Sequence, residues 1–105
     1  MTPAVRDVYT VRYRYGRSHD IRPCILLTAP LASKVTICLL SSQMALYRPV
    51  AHFLIEESHP DFPATGLDRS SFAAGDEIHE IRVGELRKRL GRLEGELARA
   101  FEAWI

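Results

Sequence analysis

Two short segments of this 105-residue chain place groups suited to phosphate chemistry at the ends of apolar runs. In Ile21-Arg22-Pro23-Cys24-Ile25 an arginine stands where a polar stretch enters an apolar one. In Cys38-Leu39-Leu40-Ser41-Ser42-Gln43 two hydroxyls and an amide follow an apolar run. An Arg and a Ser at the mouth of a barrel suit a phosphodiester, the Arg through its forked donors and the Ser through one hydrogen bond. The same spacing fits a solvated strand-entry arginine and a Ser-Ser turn, and spacing alone favours that plainer reading.

Other chemistries find less support. Cys24 and Cys38 are far apart and the four histidines (19, 52, 59 and 79) are scattered, so no pair has the spacing of a structural zinc site. His59-Pro60-Asp61 reads as an exposed polar cluster rather than a ligand set. Both cysteines lie in apolar stretches, where a buried inert thiol is the expectation. There is no G-x-G-x-x-G, no P-loop and no G-x-S-x-G, so nucleotide-cofactor enzymes and serine hydrolases have no motif here. No cofactor and no metal are expected.

The elements that would position Arg22 and Ser41 are mostly strands. Along Val8 to Tyr15, Val11, Tyr13 and Tyr15 share one face while Arg12 and Arg14 share the other. Gly16 to Asp20 is polar and is expected to be a loop. Ile21 to Thr28 is a second strand, with Pro23 at its start or at a bulge. Val35 to Leu40, apolar on both faces, is a central strand, and Ala51 to Glu57 a fourth. Ser58 to Asp68, with Pro60, Pro63 and Gly66, reads as a loop. Two short strands follow near Ser70–Ala74 and Glu77–Ile81, parted by Gly75-Asp76. Leu86 to Leu90 reads as one helical turn stopped by Gly91. From Glu94 to Ile105, Leu97, Phe101, Trp104 and Ile105 fall at helical spacing, and a helix this short must dock on the sheet. The fold class is therefore mainly β (α+β): a small twisted barrel with helical cover, one domain over residues 1–105.

Composition is that of an ordinary globular domain, 47% apolar and 26% charged, which excludes disordered and collagen-like classes. No apolar run approaches the roughly 20 residues of a membrane helix. Met1 to Asp7 lacks the apolar stretch of a secretory signal, so a cytoplasmic location with reduced thiols is expected. The net charge of +1 conceals a division: residues 1–23 hold five Arg against two Asp, while residues 51–81 hold seven acids against Arg69. No acid lies between Ile21 and Phe53, so the first half could offer a positive face to a polyanion. Solvation of exposed faces explains the same charges.

Several segments, in order, resemble the MazF/PemK-type toxins of bacterial toxin–antitoxin systems. Asp7-Val8-Tyr9-Thr10-Val11 is similar to the family's opening strand, usually Gly-Asp-Val followed by apolar residues, with Arg6 in place of the Gly. Arg22-Pro23-Cys24-Ile25-Leu26-Leu27 is similar to its Arg-Pro-apolar strand. Val35 to Ser42 resembles the strand ending in Pro-Ile-Thr-Ser, with Leu39 for the Pro and Ser41 for the Thr. Phe62-Pro63-Ala64-Thr65-Gly66-Leu67 matches the Pro-x-Thr-Gly-Leu loop and is the most specific stretch. Arg87 to Leu93 is similar to the Leu-Gly-x-Leu segment before the terminal helix, in which Gly95 stands where relatives commonly offer a Ser cap and a Pro.

The resemblance implies an SH3-like β-barrel with a C-terminal helix, acting as a homodimer that cuts single-stranded RNA without a metal and is silenced by a cognate antitoxin. It places Arg22 at the catalytic arginine and Ser41 at the catalytic threonine. Arg22 would stabilise the charge that builds on the phosphoryl oxygens and help move protons; Ser41 would hydrogen-bond a phosphoryl or leaving oxygen. Tyr15, Arg17, His19 and Asp20 lie in or beside the loop that covers the site in relatives, and Arg14, Arg17 and Tyr15 would grip backbone and stack bases. Ser42 and Gln43 would join the RNA contacts, and His19 is a candidate proton carrier. The alternative is a non-enzymatic barrel of the same fold: a gyrase-poison-like toxin acting through a C-terminal region that here holds Trp104, or a diverged protein-binding module.

Overall fold

The alternation along Asp7-Val8-Tyr9-Thr10-Val11 buries Val8 on one face of a strand and Tyr9 and Val11 on the other. In the computed structural model, which describes residues 2–15 and 18–105, that strand is β1 (Asp7–Tyr15). It is followed by β2 (Ser18–Leu26), β3 (Lys34–Ser41), β4 (His52–Ile55), helix α1 (Phe62–Thr65), β5 (Ser71–Arg82), β6 (Leu86–Arg92) and helix α2 (Gly95–Trp104). The strands form one antiparallel sheet in the order β4-β5-β3-β2-β1-β6. As its apolar sequence requires, β3 is interior, flanked by β5 and β2.

Burial on both faces of the central strands divides the core in two. Val8, Ile25, Cys38, Leu40, Ile55 and Ala73 meet α1 and α2, chiefly through Phe62, Leu97 and Phe101. Tyr9, Val11, Cys24, Leu26, Ile37 and Leu39 form the second cluster, closed by Ile81, Val83 and Leu86. Each fully buried large apolar side chain contributes on the order of 2 kcal/mol. Among the described residues no pairing joins β4 to β6, so the sheet's hydrogen bonding stays open at its two edges. α1 packs against β6 and α2 against β4, which covers that opening.

The contact of α1 with β6 is made by backbone. Gly66 ends α1 at φ 73°, and a Cβ there would overlap the Leu90 carbonyl. A Cβ on Gly91 would overlap the Ala64 carbonyl and the Thr65 backbone. Buried Thr65 ties the turn, its hydroxyl donating to the Phe62 carbonyl (2.7 Å) and accepting from the Leu67 amide (3.1 Å). The N-terminus of α2 has no cap of its own; Asp61, just before α1, accepts from the Leu97 amide at 3.3 Å.

Four expectations are corrected. Ser18–Asp20 is not loop but the start of β2, because pairing with β1 continues to Tyr15↔Ser18; Gly16 and Arg17 lie outside the described residues. Ser70 to Ile81 holds one bent strand, β5, rather than two. Ser58 to Asp68 contains α1. Leu86 to Leu90 lies in strand β6, not a helical turn: an apolar spacing of four fits a helix or one face of an unbroken strand, and pairing with β1, with bulges that send Leu86 and Leu90 to different core clusters, decides it. Trp104 packs against Phe53 and Phe101, with ring centroids 5.9 Å apart in both cases. No helix among the described residues is long and apolar enough to cross a membrane.

Candidate active site

A proline inside a paired strand creates the site. β2 and β3 pair with Cys24↔Leu39, Ile25↔Cys38 and Leu26↔Ile37, and the Leu27 amide donates to the Thr36 carbonyl at 2.8 Å. In an antiparallel ladder such bonded pairs recur at every second residue, hence at Ile25 with Cys38 and then at Pro23 with Leu40. Proline has no amide hydrogen, so the ladder stops at Cys24↔Leu39 and the Leu40 carbonyl lacks that partner. The Arg22 side chain supplies it, with Nη2 donating at 2.9 Å and Nε at 3.3 Å. By alternation Arg22 lies on the face of β2 that Cys24 occupies, and Ser41 on the face of β3 that Leu39 occupies.

Arg22 and Ser41 thus line one cleft, of about 530 Å³. The Ser41 Oγ accepts from the Gln43 amide at 3.1 Å, which leaves its hydroxyl proton to donate elsewhere. Arg22 keeps the N–H groups of Nη1. Ser42 and Gln43, both exposed, lie on the rim. Four expected residues, Arg22, Ser41, Ser42 and Gln43, are therefore brought together, and Asp20 joins them. Arg14, Tyr15 and His19 are placed by backbone alone, in the β1–β2 pairing with Arg14↔His19 and Tyr15↔Ser18; Arg17 lies outside the described residues.

The opposite wall was not foreseen. Between Cys38↔Ile78 and Leu40↔Ala73 the β3–β5 register shifts, so Leu39 faces a bulge of Ala74, Gly75, Asp76 and Glu77. The bulge brings Asp76 and Glu77 to the cleft beside Arg22. His52, Leu46 and Phe72 complete that wall. Among the described lining residues Arg22 is the one Arg or Lys, against Asp20, Asp76 and Glu77, so the described lining is of mixed charge. A polar residue next to a bulge leaves no periodic signal, which is why sequence reading passed over these positions.

The cysteines lie behind the site and are closed to it. Burial pushes the Cys24 thiol up to about 12 and the Cys38 thiol up to about 11, with Glu77 and Asp76 adding to the latter. His59 does not stand in an exposed cluster: its Nδ1 accepts from the Asp61 amide at 3.0 Å and both are half-buried at the start of α1. Among the described residues no three His, Cys, Asp or Glu side chains are grouped to hold a metal ion. No known protein-family model matches the chain, and no curated protein matches it significantly.

Proposed function

We propose that the chain is a metal-independent endoribonuclease of the MazF/PemK type, a homodimeric toxin of a toxin–antitoxin system that cleaves single-stranded RNA at preferred sequences. The observation that carries this is Arg22 held on the Leu40 carbonyl, with the hydroxyl of Ser41, the next residue, lining the same cleft.

The chemistry uses what those groups retain. When the ribose 2′-oxygen attacks phosphorus, the new P–O bond forms as the bond to the 5′-oxygen breaks. Negative charge grows on the non-bridging oxygens and the leaving oxygen. A guanidinium already held on the Leu40 carbonyl through two of its own N–H groups needs little reorganisation to meet that charge with its remaining ones, and pre-set donors of this kind are typically the largest catalytic term. Ser41 adds a second donor. The 2′-hydroxyl loses its proton and the 5′-oxygen gains one, giving a 2′,3′-cyclic phosphate and a 5′-hydroxyl.

Three features outside the cleft support the family reading. Arg6, where the family carries Gly, adopts φ 72°, a conformation glycine takes without cost. Asp7 is buried, accepting from the Ala4 amide at 2.9 Å, so the Gly-Asp-Val opening is a turn that starts β1. The Thr-Gly of the specific loop and the Gly of the Leu-Gly segment are the two halves of the α1–β6 contact. On this reading the curled sheet, with its opening covered by the helices, is an SH3-like barrel. Packing of Trp104 against Phe53 and Phe101 favours the enzyme over a poison acting through its C-terminus.

The test is to incubate the protein with a long single-stranded RNA in EDTA and map the ends. Discrete cuts bearing cyclic phosphate, abolished in Arg22→Ala, support the ribonuclease. Uncut RNA refutes it, and growth inhibition that survives Arg22→Ala but not deletion of Trp104-Ile105 would establish the gyrase-poison alternative.

A further inference from the structure

A second cleft, of about 610 Å³, shares no lining residue with the first. It is the gap between two strand ends that leave one corner. β5 reaches the corner at Arg82 and turns through Val83–Glu85 into β6, whose first residue pairs with β1 as Val11↔Leu86. β1 runs on through Arg12 to Tyr15 with β2 on one side only. β5 is likewise flanked by β3 alone from Ile78 to Arg82, since β4 stops at His52↔Ala74. Tyr13 and His79 meet across the gap, their ring centroids 5.0 Å apart.

Register shows which backbone groups each edge presents. The Val83 amide donates to the Ser33 carbonyl at 2.9 Å, so Ile81 and His79 bond β3, and the alternate residues Ile78, Glu80 and Arg82 turn their N–H and C=O groups away from it. In β2 the odd-numbered residues bond β3, as Leu27 does with Thr36, so the even-numbered ones bond β1 through its odd positions. Arg12 and Arg14 therefore turn their backbone groups away from β2. Among the described residues no strand takes up either edge. Unpaired edges of this kind are templates for another chain.

Side chains fit the same occupant. Val11, Ile37 and Ile81 floor the gap, whereas alternation sets Arg12, Glu80 and Arg82 on the exposed side, with Glu85 and Arg87 at the corner. The guanidiniums of Arg12, Arg82 and Arg87 have no hydrogen bond or ion pair among the described residues. Glu80 is met by Lys34 at 3.6 Å, which leaves three cations against Glu85. A strand laid in the gap sets alternate side chains on the floor and at this rim.

We propose that the gap between β1 and β5 is a docking site for an extended acidic segment of a partner protein, added as a strand, with apolar residues turned to Val11, Ile37 and Ile81 and carboxylates to Arg12, Arg82 and Arg87. This does not rest on the ribonuclease reading, because no residue of the Arg22 cleft takes part.

The test titrates the full chain against a fluorescein-labelled heptapeptide that alternates Glu with Val, read by anisotropy. It should bind about tenfold more tightly than its Lys-Val counterpart, and Arg12→Glu with Arg82→Glu should reverse that preference. Glu80→Pro removes an N–H that faces the gap and leaves the β3 ladder whole, so it should weaken the Glu-Val peptide about tenfold while urea unfolding stays near wild type. Glu80→Ala, which keeps the amide, should bind as the wild type does. N-methylation of the valines of the probe, which leaves the protein untouched, should match the effect of Glu80→Pro. Equal binding of the Glu-Val and Lys-Val peptides, or binding that either the charge variant or N-methylation leaves unchanged, overturns the site. A thymidine hexamer that binds where the Glu-Val peptide does not, and is lost in the charge variant, makes the gap a nucleic-acid groove and overturns it too.

Discussion

The guanidinium of Arg22 holds the carbonyl of Leu40, the acceptor that Pro23 has no amide hydrogen to reach. The side chain thus repairs a gap in the sheet while lining the cleft. Removing it should cost both roles. Arg22→Ala should lower RNA cleavage by a factor of 10² to 10³, the usual effect of losing one charge-stabilising donor, and stability by about 1 kcal/mol through the unmet carbonyl. Arg22→Lys should lose nearly as much activity, because a single ammonium cannot both hold Leu40 and face a phosphate. End-mapped cleavage rates and urea unfolding measure the two effects.

Pro23→Ala tests the same relationship from the other side. It restores an amide that competes for the Leu40 carbonyl, so the sheet should be at least as stable while Arg22 loses its anchor. Unfolding free energy unchanged or raised, with cleavage reduced about tenfold by the loss of preorganisation, is the expected pair of results. Full activity would mean that the anchor does not matter.

As the proposed second donor, Ser41 would act without a methyl group to hold its rotamer. Ser41→Ala should reduce cleavage by one to two orders of magnitude, as expected for a positioned neutral donor. Ser41→Thr should equal or exceed the wild type, because β-branching restricts χ1. Activity of all three can be compared on one RNA at saturating concentration.

The α1–β6 contact has no room for side chains. Gly91→Ala and Gly66→Ala should each destabilise by about 2 kcal/mol or more, since the added methyl meets backbone that cannot rotate away, and at Gly66 φ 73° adds to the cost. Gly75→Ala, with nothing within 4 Å of its Cβ, should be neutral. Chemical denaturation of the three variants checks this.

Alkaline pH should unfold the protein partly through its thiols. Cys24 and Cys38 are raised by burial to about 12 and about 11, whereas unfolded thiols ionise near 8.5. The folded state then holds protons that the unfolded state releases, so this contribution is complete below about pH 8 and is lost as pH rises through 9 towards 11 to 12. Tyr9, raised chiefly by burial, acts in the same direction. Replacing Cys24 by Ala should flatten the alkaline slope, and native protein at pH 8 should resist thiol reagents that label both cysteines after unfolding.

The strands β1, β3 and β4 and the C-terminal helix were legible in the sequence, because each depends on local alternation or helical spacing; Arg22 and Ser41 were legible as polar groups at the ends of apolar runs, which the fold brings to one cleft. The Thr65-Gly66 and Gly91 segments were visible only as a pattern; their meaning is a backbone contact between residues far apart in the chain. β6 was misread because Leu86 and Leu90 fit a helix and a strand equally, and bulges in the β1–β6 pairing send Leu86 to one core cluster and Leu90 to the other.

Local residue order fixes the parts: apolar strands with Arg-Pro at the mouth of one and Ser-Ser-Gln at the end of another. Packing of the strands set Arg22 and Ser41 in one cleft, brought the carboxylates of the Ala74–Glu77 bulge to it, and put His52 and Phe72 on its wall. Pairing register decides all three, and a shift of one residue would reverse the face on which each side chain lies. Only the sum of cross-strand contacts selects that register.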